Sequence, residues 1–558
     1  MVRTILSSVG REVRGMHEAA YTLAAFALLS QLLALVRDRL LAAHFGVGHT
    51  LDVYYAAFRI PDFLFATIAS LLSLYALLPV LSRLEAEHPG LIISFMRQAL
   101  LIFFVGMGIV SFGIFLFAPE LLRLAAPGLA SDPQLVLLAR ILLLQPILLG
   151  LSNILANLTQ LRHRFVLYSV SPLLYNTGII LGIVALYPHM GIAGLGWGVV
   201  LGALLHGLIQ LPFFLEEPER HEIPLSRTFS LMKEVLMLSI PRTLSLSAGQ
   251  ISLFVLTALA SLLSAGSISI FMFAWNLQAV PLTIIGVSYS VAAFPTLARM
   301  VAAGEHSEFS RHLFAAVRHV FFWGIPATVL IIVLRAQIVR AILGSGAFSW
   351  AATRLVAAAL ALLVISLLAQ SLSLLIARAY YAAGQTAKPF FFGLFDVVFS
   401  VSSAVLLVGA FHASHFWRYF LEALLRVSDL PGTTVLMLAL ALTIGSVVEC
   451  VVGLWYATRD FSLPLGPLRR LSFQSFCSAV LGGAAAYLVL ALTGSFLDIN
   501  TAAGILSQGV LAGLAGLIIT GVMLVALGNE EIQETYAALL RRFVDTTPVV
   551  LEPTDVQT

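Results

Sequence analysis

Apolar runs of about 20 residues recur along this chain from one end to the other. A run of that length crosses a bilayer as an α-helix, because a helix satisfies its backbone hydrogen bonds internally. Of the 558 residues, 60% are hydrophobic and only 11% are charged, whereas soluble domains are about 25% charged. The sequence therefore predicts an all-α polytopic membrane protein with about 14 transmembrane helices and no sizeable soluble domain.

Basic residues concentrate in alternate loops, which the positive-inside rule assigns to the cytoplasm. Both chain termini then also lie in the cytoplasm, and the stretch before residue 19 leads into an uncleaved first span. The basic loops are those around Arg162–Arg164, Arg220–Lys233, Arg299–Arg311, Arg459–Arg470 and Arg541–Arg542.

A weak internal repeat relates the second predicted span to the eighth. Pro79 and Pro295 each precede a basic end, and Pro61 and Pro281 interrupt the same two spans. Interrupted helices at matching places in two halves of a transporter point to a substrate cavity. We therefore predict two six-helix bundles, an N-lobe and a C-lobe, around a central cavity, followed by a C-terminal helix pair.

The expected domain boundaries of the chain follow from this repeat. They are an N-terminal lobe at 1–228, a C-terminal lobe at 229–470 with an amphipathic insert near 411–431, a helix pair at 471–528 that would hold a lipid tail, and a cytoplasmic tail at 529–558.

Charged residues inside the first two spans are the main candidates for function. Arg37 and Asp38 are adjacent on the first span, and Asp52, Arg59 and Asp62 follow on the second. Ionisable groups at membrane depth are costly unless they pair or face a wet cavity. One interpretation is a cavity in which arginines hold an anionic headgroup, because guanidinium donates bidentate hydrogen bonds to phosphate. The other is a buried network in which these charges only neutralise each other.

Other polar residues have two interpretations each. Gln31 lies nearly two turns before Arg37 at a related angle, which would extend one polar stripe. Arg242, after Pro241, either snorkels to the interface or supplies a second cationic contact from the other half. Asp396 and Glu449 either bind a coupling ion or proton or have a paired structural role.

The sequence also argues against several classes of protein. It has no nucleotide-binding loop, nucleophile elbow or metalloprotease helix, so we expect neither an enzyme nor a cofactor. A net charge of +3 gives no reason to expect nucleic acid. The glycine-rich segment Gly191–Gly198 resembles a phosphate loop, but close packing of membrane helices explains it better.

Several segments, in their order along the chain, carry a resemblance to a known family. The chain resembles the MurJ/MviN family of lipid II flippases, within the superfamily of multidrug and oligosaccharidyl-lipid exporters. The segments are Arg37–Gly46, Asp52–Pro61, Ala126–Leu129, Asn157–Phe165, Pro172–Asn176, Gln250–Ser252, Gly286–Pro295 and Tyr380–Pro389.

The resemblance implies a multi-pass protein of the bacterial inner membrane that takes part in peptidoglycan biosynthesis, cell-wall biogenesis and cell shape. Its substrate would be undecaprenyl-diphosphate-linked peptidoglycan precursor, moved from the inner to the outer leaflet by alternating access. Membrane lipids would be further partners. A monomer is the expected state, and an association with cell-wall synthesis proteins is compatible with this role.

The resemblance also implies roles for particular residues. Arg37 and Asp52 match cavity residues of the family, and Arg59 matches a basic position. The chain departs from the family where Gln31, Phe65 and Asn276 stand at arginine positions and Ser70 stands at an acidic one. The substrate-binding candidates are Arg37, Arg59, Asp52, Arg242, Gln31 and Asn276. The alternatives are a related exporter of another polyprenyl-linked glycan or amphiphile, and a non-transporting membrane scaffold of envelope synthesis.

Overall fold

The computed structural model describes residues 16–72, 74–216, 221–498, 501–533 and 535. Helices form all the regular structure in these ranges, as the hydrophobic pattern predicts. Ten helical spans in the described ranges, some of them made of two consecutive helices, are long and apolar enough to cross a membrane, and one further helix pair is bent by 45° at a short break. The total of 14 spans stays a prediction.

Twelve helices make up the first half of the described chain. They are α1 (Met16–Phe45), α2 (His49–Ala57), α3 (Arg59–Thr67), α4 (Leu74–Glu87), α5 (Ile92–Leu116), α6 (Ala118–Ala125), α7 (Pro133–Leu142), α8 (Leu144–Leu161), α9 (Phe165–Leu181), α10 (Tyr187–Met190), α11 (Ile192–Leu208) and α12 (Leu211–Glu216).

Eleven helices follow in the second half and the C-terminal pair. They are α13 (Leu225–Ser261), α14 (Ser267–Leu282), α15 (Ser288–Ala302), α16 (His306–Leu343), α17 (Trp350–Val364), α18 (Leu367–Ala382), α19 (Ala387–Ala413), α20 (His415–Leu425), α21 (Val435–Asp460), α22 (Gly466–Thr493) and α23 (Ala502–Ala526).

Helices pack mainly within each half. In the first half, α9 packs against α1 and α11, and α11 packs against α8. In the second half, α19 packs against α13 and α21, and α14 packs against α17. The two halves meet where α2 contacts α14, where α13 contacts α3 and α4, and where α1 contacts α16.

The second and eighth predicted spans are both interrupted near Pro61 and Pro281, the prolines at which the sequence predicts a break. The second predicted span is broken at Phe58, between α2 and α3, and Pro61 lies in the first turn of α3. In the eighth, Pro281 lies near the end of α14, and a π-helical turn at Thr283–Val287 follows directly. Such breaks release backbone carbonyls from the regular ladder and let a helix change direction.

The glycine-rich segment packs one helix closely against another, as the sequence predicts. A Cβ atom on Gly198 would lie 2.4 Å from the Cα atom of Gly182, and one on Gly178 would lie 2.2 Å from the Cα atom of Gly202. Real side chains do not approach this closely, so α9 and α11 can touch only because these positions lack a side chain.

This contact gives a stability prediction. Replacing Gly198 with leucine is expected to destabilise the protein by about 1–3 kcal/mol or more, because the new side chain must separate two backbones. Gly106→Leu is the matched control, since nothing lies within 4 Å of a Cβ atom at that position on α5. Thermal unfolding in detergent should show a lower midpoint for Gly198→Leu alone. Equal midpoints for the two variants would contradict this packing.

The C-terminal helix pair is fixed to α16. A Cβ atom on Gly516 of α23 would lie 2.6 Å from the side chain of Leu330, so the contact is close. At one end of the pair, Arg318 of α16 donates to Glu531 at 2.6 Å and to Glu530 at 2.9 Å. The pair is therefore tied to the second half by both packing and charge.

Helix α20 is amphipathic and lies within the segment 411–431, for which the sequence predicts an amphipathic insert. Leu421 and Leu425 are buried, whereas Phe416 and Tyr419 are 79% and 68% exposed. Glu422, on the buried side, accepts hydrogen bonds from Arg418 at 2.9 Å and from Thr433 at 2.6 Å. A location of its aromatic face at the membrane surface stays a prediction.

Candidate functional site

A cavity of about 190 Å³ lies between the two halves. Helices α1, α2, α3 and α9 of the first half and α14 of the second half contribute its walls. The lining residues are Arg37, Leu41, Tyr54, Tyr55, Phe58, Arg59, Asp62, Tyr175, Ile179, Met272 and Asn276. Both candidate arginines of the first two spans therefore face the same space.

Arg37 is held by an ion pair with its neighbour. Its Nε and Nη2 atoms lie 2.9 and 2.8 Å from Oδ1 of Asp38, and Nη1 donates to Oδ1 of Asn176 at 3.2 Å. Asp38 accepts a further hydrogen bond at its other oxygen from Nδ2 of Asn276, at 3.1 Å. Although the backbone positions diverge by about 100°, the long arginine side chain folds back onto the carboxylate. Asp38 thus connects Arg37 to helix α14 of the opposite half.

Arg59 is buried but more loosely held. Its guanidinium is 3.8 Å from Oδ2 of Asp62, and its Nε donates to the carbonyl of Tyr55 at 3.4 Å. Both distances exceed those of strong charge-assisted hydrogen bonds. The side chain is only 6% exposed, so this charge is costly unless a better partner can reach it. Arg59 therefore retains hydrogen-bonding capacity toward the cavity.

Asp52 lies outside the cavity lining and joins the two halves. Its two carboxylate oxygens accept hydrogen bonds from the backbone N–H groups of Gly266 at 2.5 Å and Ser269 at 2.7 Å. These groups belong to the first turn of α14, where a carboxylate also stabilises the helix dipole. Gly266 has φ +94°, a conformation that favours glycine. We call the region around this contact the Asp52 end.

Two further contacts between the halves lie at the Asp52 end. Arg39 donates to the carbonyls of Ala341 at 2.7 Å and Ile342 at 3.3 Å, in the last turn of α16. The N–H group of Ala347 donates to the carbonyl of Ala43 at 2.8 Å. A cation at a helix C-terminus is electrostatically favourable, so this end is closed by hydrogen bonds as well as by packing.

The halves also meet at the opposite end of these helices. Arg83 at the end of α4 forms two hydrogen bonds, of 3.0 and 2.7 Å, with Glu234 on α13. Ser239 donates to the carbonyl of Leu71 at 2.6 Å. We call this region the Arg83 end. The cavity therefore lies between two zones of contact, the Asp52 end and the Arg83 end. For a large headgroup to enter or leave, the two halves must separate at one of these ends.

The remaining candidates lie elsewhere or lack a described side chain. Asn276 lines the cavity, whereas Gln31 is half-buried on α1 and is not part of the lining. Arg242 is on α13, but its side chain lies outside the described part of the chain. In the second half, Asp396 is 8% exposed and accepts hydrogen bonds from Ser252 at 3.0 Å and from two other serines at 3.4 Å. This acid is satisfied internally.

Sequence reasoning identified Asn276 but overlooked the tyrosines of the cavity and the neighbouring Asn176. Tyr54, Tyr55 and Tyr175 line it, and Asn176 contacts Arg37. The sequence did offer one indication that Tyr55 lies near a candidate arginine. It precedes Arg59 by four residues in the same predicted span. Tyrosine is common in apolar spans, so the sequence alone does not set these residues apart.

The model of the family described as "Lipid II flippase MurJ" matches residues 41–417, which is more than half of the chain. The chain belongs to the MurJ family. Curated relatives agree: the lipid II flippase MurJ of Burkholderia cenocepacia is 27% identical over 389 residues, covering 66% of this chain and 74% of that protein. The probable lipid II flippase MurJ of Thermotoga maritima is 26% identical over 407 residues, covering 70% and 78%.

Solved structures show the same fold. A lipid II flippase MurJ in an inward closed conformation has a TM-score of 0.67 at 20% identity, covering 90% of this chain and 99% of that one. An inward-facing MATE-family multidrug transporter has a TM-score of 0.65 at 15% identity, covering 80% and 98%. The MurJ fold thus extends beyond the segment that the family model matches.

In this MurJ-family chain, the structure places the residues at which the resemblance implies departures from the family pattern. Asn276 stands in the cavity wall where the resemblance implies arginine, and its amide contacts Asp38. Phe65 packs half-buried against the hydrophobic core, and the side chain of Ser70 lies outside the described part. Among the described residues that line the cavity, the cations are Arg37 and Arg59.

Proposed function

We propose that this protein moves undecaprenyl-diphosphate-linked peptidoglycan precursor from the inner to the outer leaflet of the cytoplasmic membrane by alternating access. The observation that carries the proposal is the shared cavity of Arg37 and Arg59 between the two halves. Membership of the MurJ family supports the choice of substrate. No covalent bond changes in this process, so the protein acts as a transporter rather than an enzyme.

The cavity removes the main barrier to the movement of a diphosphate. An ionised group without partners in hydrocarbon is prohibitively unstable. Guanidinium groups offer planar pairs of N–H donors that match phosphoryl oxygens and stay charged at all physiological pH values. The lipid tail can remain in the bilayer while the headgroup occupies the cavity. The groove for this tail beside α22 and α23 is part of the same proposal.

Headgroup binding is coupled to the contact between the halves through Asp38. A phosphate that binds Arg37 competes with the carboxylate of Asp38, which also accepts from Asn276 on α14. Substrate binding would therefore alter a hydrogen bond that spans the two halves. A ligand shifts a conformational equilibrium only through such differential contacts.

Alternating access then requires the two contact zones to open in turn. We place the Asp52 end at the outer face and the Arg83 end at the cytoplasmic face, following the distribution of basic residues. Separation of Arg83 from Glu234 would admit the headgroup, and separation of Asp52 from α14 would release it. A membrane potential that is negative inside favours outward movement of an anion by about 2.3 kcal/mol per charge per 100 mV.

Leaflet-resolved accessibility of labelled lipid II tests this function. Labelled lipid II is placed in the inner leaflet of sealed vesicles, with or without the purified protein, and an impermeant reagent reports its arrival in the outer leaflet. We expect arrival to be much faster with the protein. No acceleration by folded and correctly inserted protein would contradict transport of this substrate.

The same assay separates the alternatives. A scaffold of envelope synthesis would leave lipid II accessibility unchanged. An exporter of a different polyprenyl-linked glycan would accelerate that lipid and not lipid II. An exporter of amphiphilic cations would need a cavity dominated by acids, whereas two arginines and one acid, Asp62, line this one.

A further inference from the structure

Tyr55 carries a buried hydroxyl group with no hydrogen-bond partner among the described residues. The residue is 6% exposed and lies in the wall of the cavity that Arg37 and Arg59 share. Buried tyrosine hydroxyls usually find a partner, because an unsatisfied polar group in a low-dielectric interior is costly. An unpaired donor in the wall of a polar cavity can gain a partner when a ligand enters.

The position of the phenol ring is fixed by its neighbours. Its centroid lies 5.4 Å from that of Tyr54 and 5.9 Å from that of Phe273 on α14, with both pairs close to perpendicular. Edge-to-face pairs of this kind are favourable. They hold the ring in one position in the cavity wall, so little ordering of this side chain is needed when a ligand arrives.

The groups around the phenol define the chemistry of its partner. Arg37 and Arg59 line the same cavity, and Arg59 donates to the backbone carbonyl of Tyr55 at 3.4 Å. The arginines have no acceptor atoms, and both oxygens of Asp38 already accept hydrogen bonds. The hydroxyl is free to donate to an incoming acceptor, and the guanidinium groups of Arg37 and Arg59 in the same cavity wall favour an anionic one. A phosphoryl oxygen meets both conditions.

We propose that Tyr55 is a substrate-binding residue that donates its hydroxyl to a phosphoryl oxygen of a lipid diphosphate held by Arg37 and Arg59. This assignment rests on the proposed function, since it names a contact within the same cavity. A neutral donor strengthens anion binding without adding another buried charge.

Binding to the full-length protein in detergent tests this assignment, with undecaprenyl diphosphate as the probe. We expect Tyr55→Phe to weaken binding by roughly tenfold to a hundredfold, the usual effect of losing a hydrogen bond to a charged acceptor. Because the removed hydroxyl is unsatisfied in the free protein, Tyr55→Phe should keep or raise the thermal midpoint. Tyr187→Phe is the matched control, since this half-buried tyrosine packs on Phe45 outside the cavity lining.

The outcomes separate this assignment from the proposed function. Unchanged affinity in Tyr55→Phe, or weaker binding together with a lower midpoint, would contradict a substrate contact. If Arg37→Ala abolishes binding while Tyr55→Phe does not weaken it, only the tyrosine assignment fails. If the unmodified protein does not bind the probe, the proposed function fails as well. Equally tight binding of inorganic diphosphate would show that the site takes the free anion and would contradict a lipid headgroup.

Discussion

Vesicles that contain the Arg37→Ala variant are expected to move lipid II to the outer leaflet roughly a hundredfold more slowly than vesicles with the unmodified protein. The substitution removes a guanidinium that faces the cavity and leaves Asp38 without the cation 2.8 Å away. A hydrogen bond to a charged group contributes about 1.5–3 kcal/mol, and each 1.4 kcal/mol is about a factor of ten in rate, so the loss of one guanidinium contact to the headgroup accounts for about a hundredfold. The leaflet-accessibility assay measures the effect.

Two further variants distinguish lost binding from lost folding. The double variant Arg37→Gln with Asp38→Asn replaces the pair by neutral amides, so no unpaired charge stays buried. It should fold normally and still fail to transport. Arg311→Ala is the control, because Arg311 is 72% exposed and pairs with Glu308 on the surface of α16. Normal transport by the neutral double variant would contradict a role for Arg37 in holding the headgroup.

Replacing Asp52 with alanine is expected to open the Asp52 end. The variant loses two short hydrogen bonds between its carboxylate and the first turn of α14. Hydrogen bonds to charged groups contribute about 1.5–3 kcal/mol each, so the equilibrium should shift by at least about a hundredfold toward separated halves. Asp52→Asn should have an intermediate effect, because its amide oxygen can still accept one bond.

Disulfide cross-linking between positions 43 and 347 measures this opening. The backbones of Ala43 and Ala347 are joined by a 2.8 Å hydrogen bond across the halves, so cysteines there should cross-link readily once Cys450 and Cys477 are replaced. Asp52→Ala should slow the reaction. Asp132→Ala is the control, since Asp132 pairs with His49 at 2.7 Å within the first half. An unchanged cross-linking rate in Asp52→Ala would contradict the tether.

The sequence predicts the helical class and the region of the site, because both depend on local patterns. Apolar runs of bilayer length leave few alternatives to membrane helices. Charges within such runs need partners or water, and Arg37 and Arg59 do lie at one cavity. That they bind substrate stays a prediction. The proline interruptions near Phe58 and after Pro281 also follow from local chemistry.

The partners of the charged residues could not be predicted, because they depend on contacts between distant segments. Asp52 carries the same charge as Asp38 in the sequence, yet it caps a helix more than 200 residues away. The Arg37–Asp38 pair depends on a side-chain rotamer rather than on helix spacing. The unpaired hydroxyl of Tyr55 becomes visible only when every neighbouring donor and acceptor has been placed.

The most direct test of the central claim is photocrosslinking from inside the cavity. Met272 lines the cavity beside both arginines, and a photoreactive amino acid at this position should label radioactive lipid II. Position 284 of the same span is the control, because Ile284 is 59% exposed and is not among the residues that line the cavity. We expect labelling at 272 that excess undecaprenyl diphosphate prevents and that Arg37→Ala removes. Labelling at 272 that survives both treatments, or labelling at 284 alone, would contradict a headgroup held between Arg37 and Arg59.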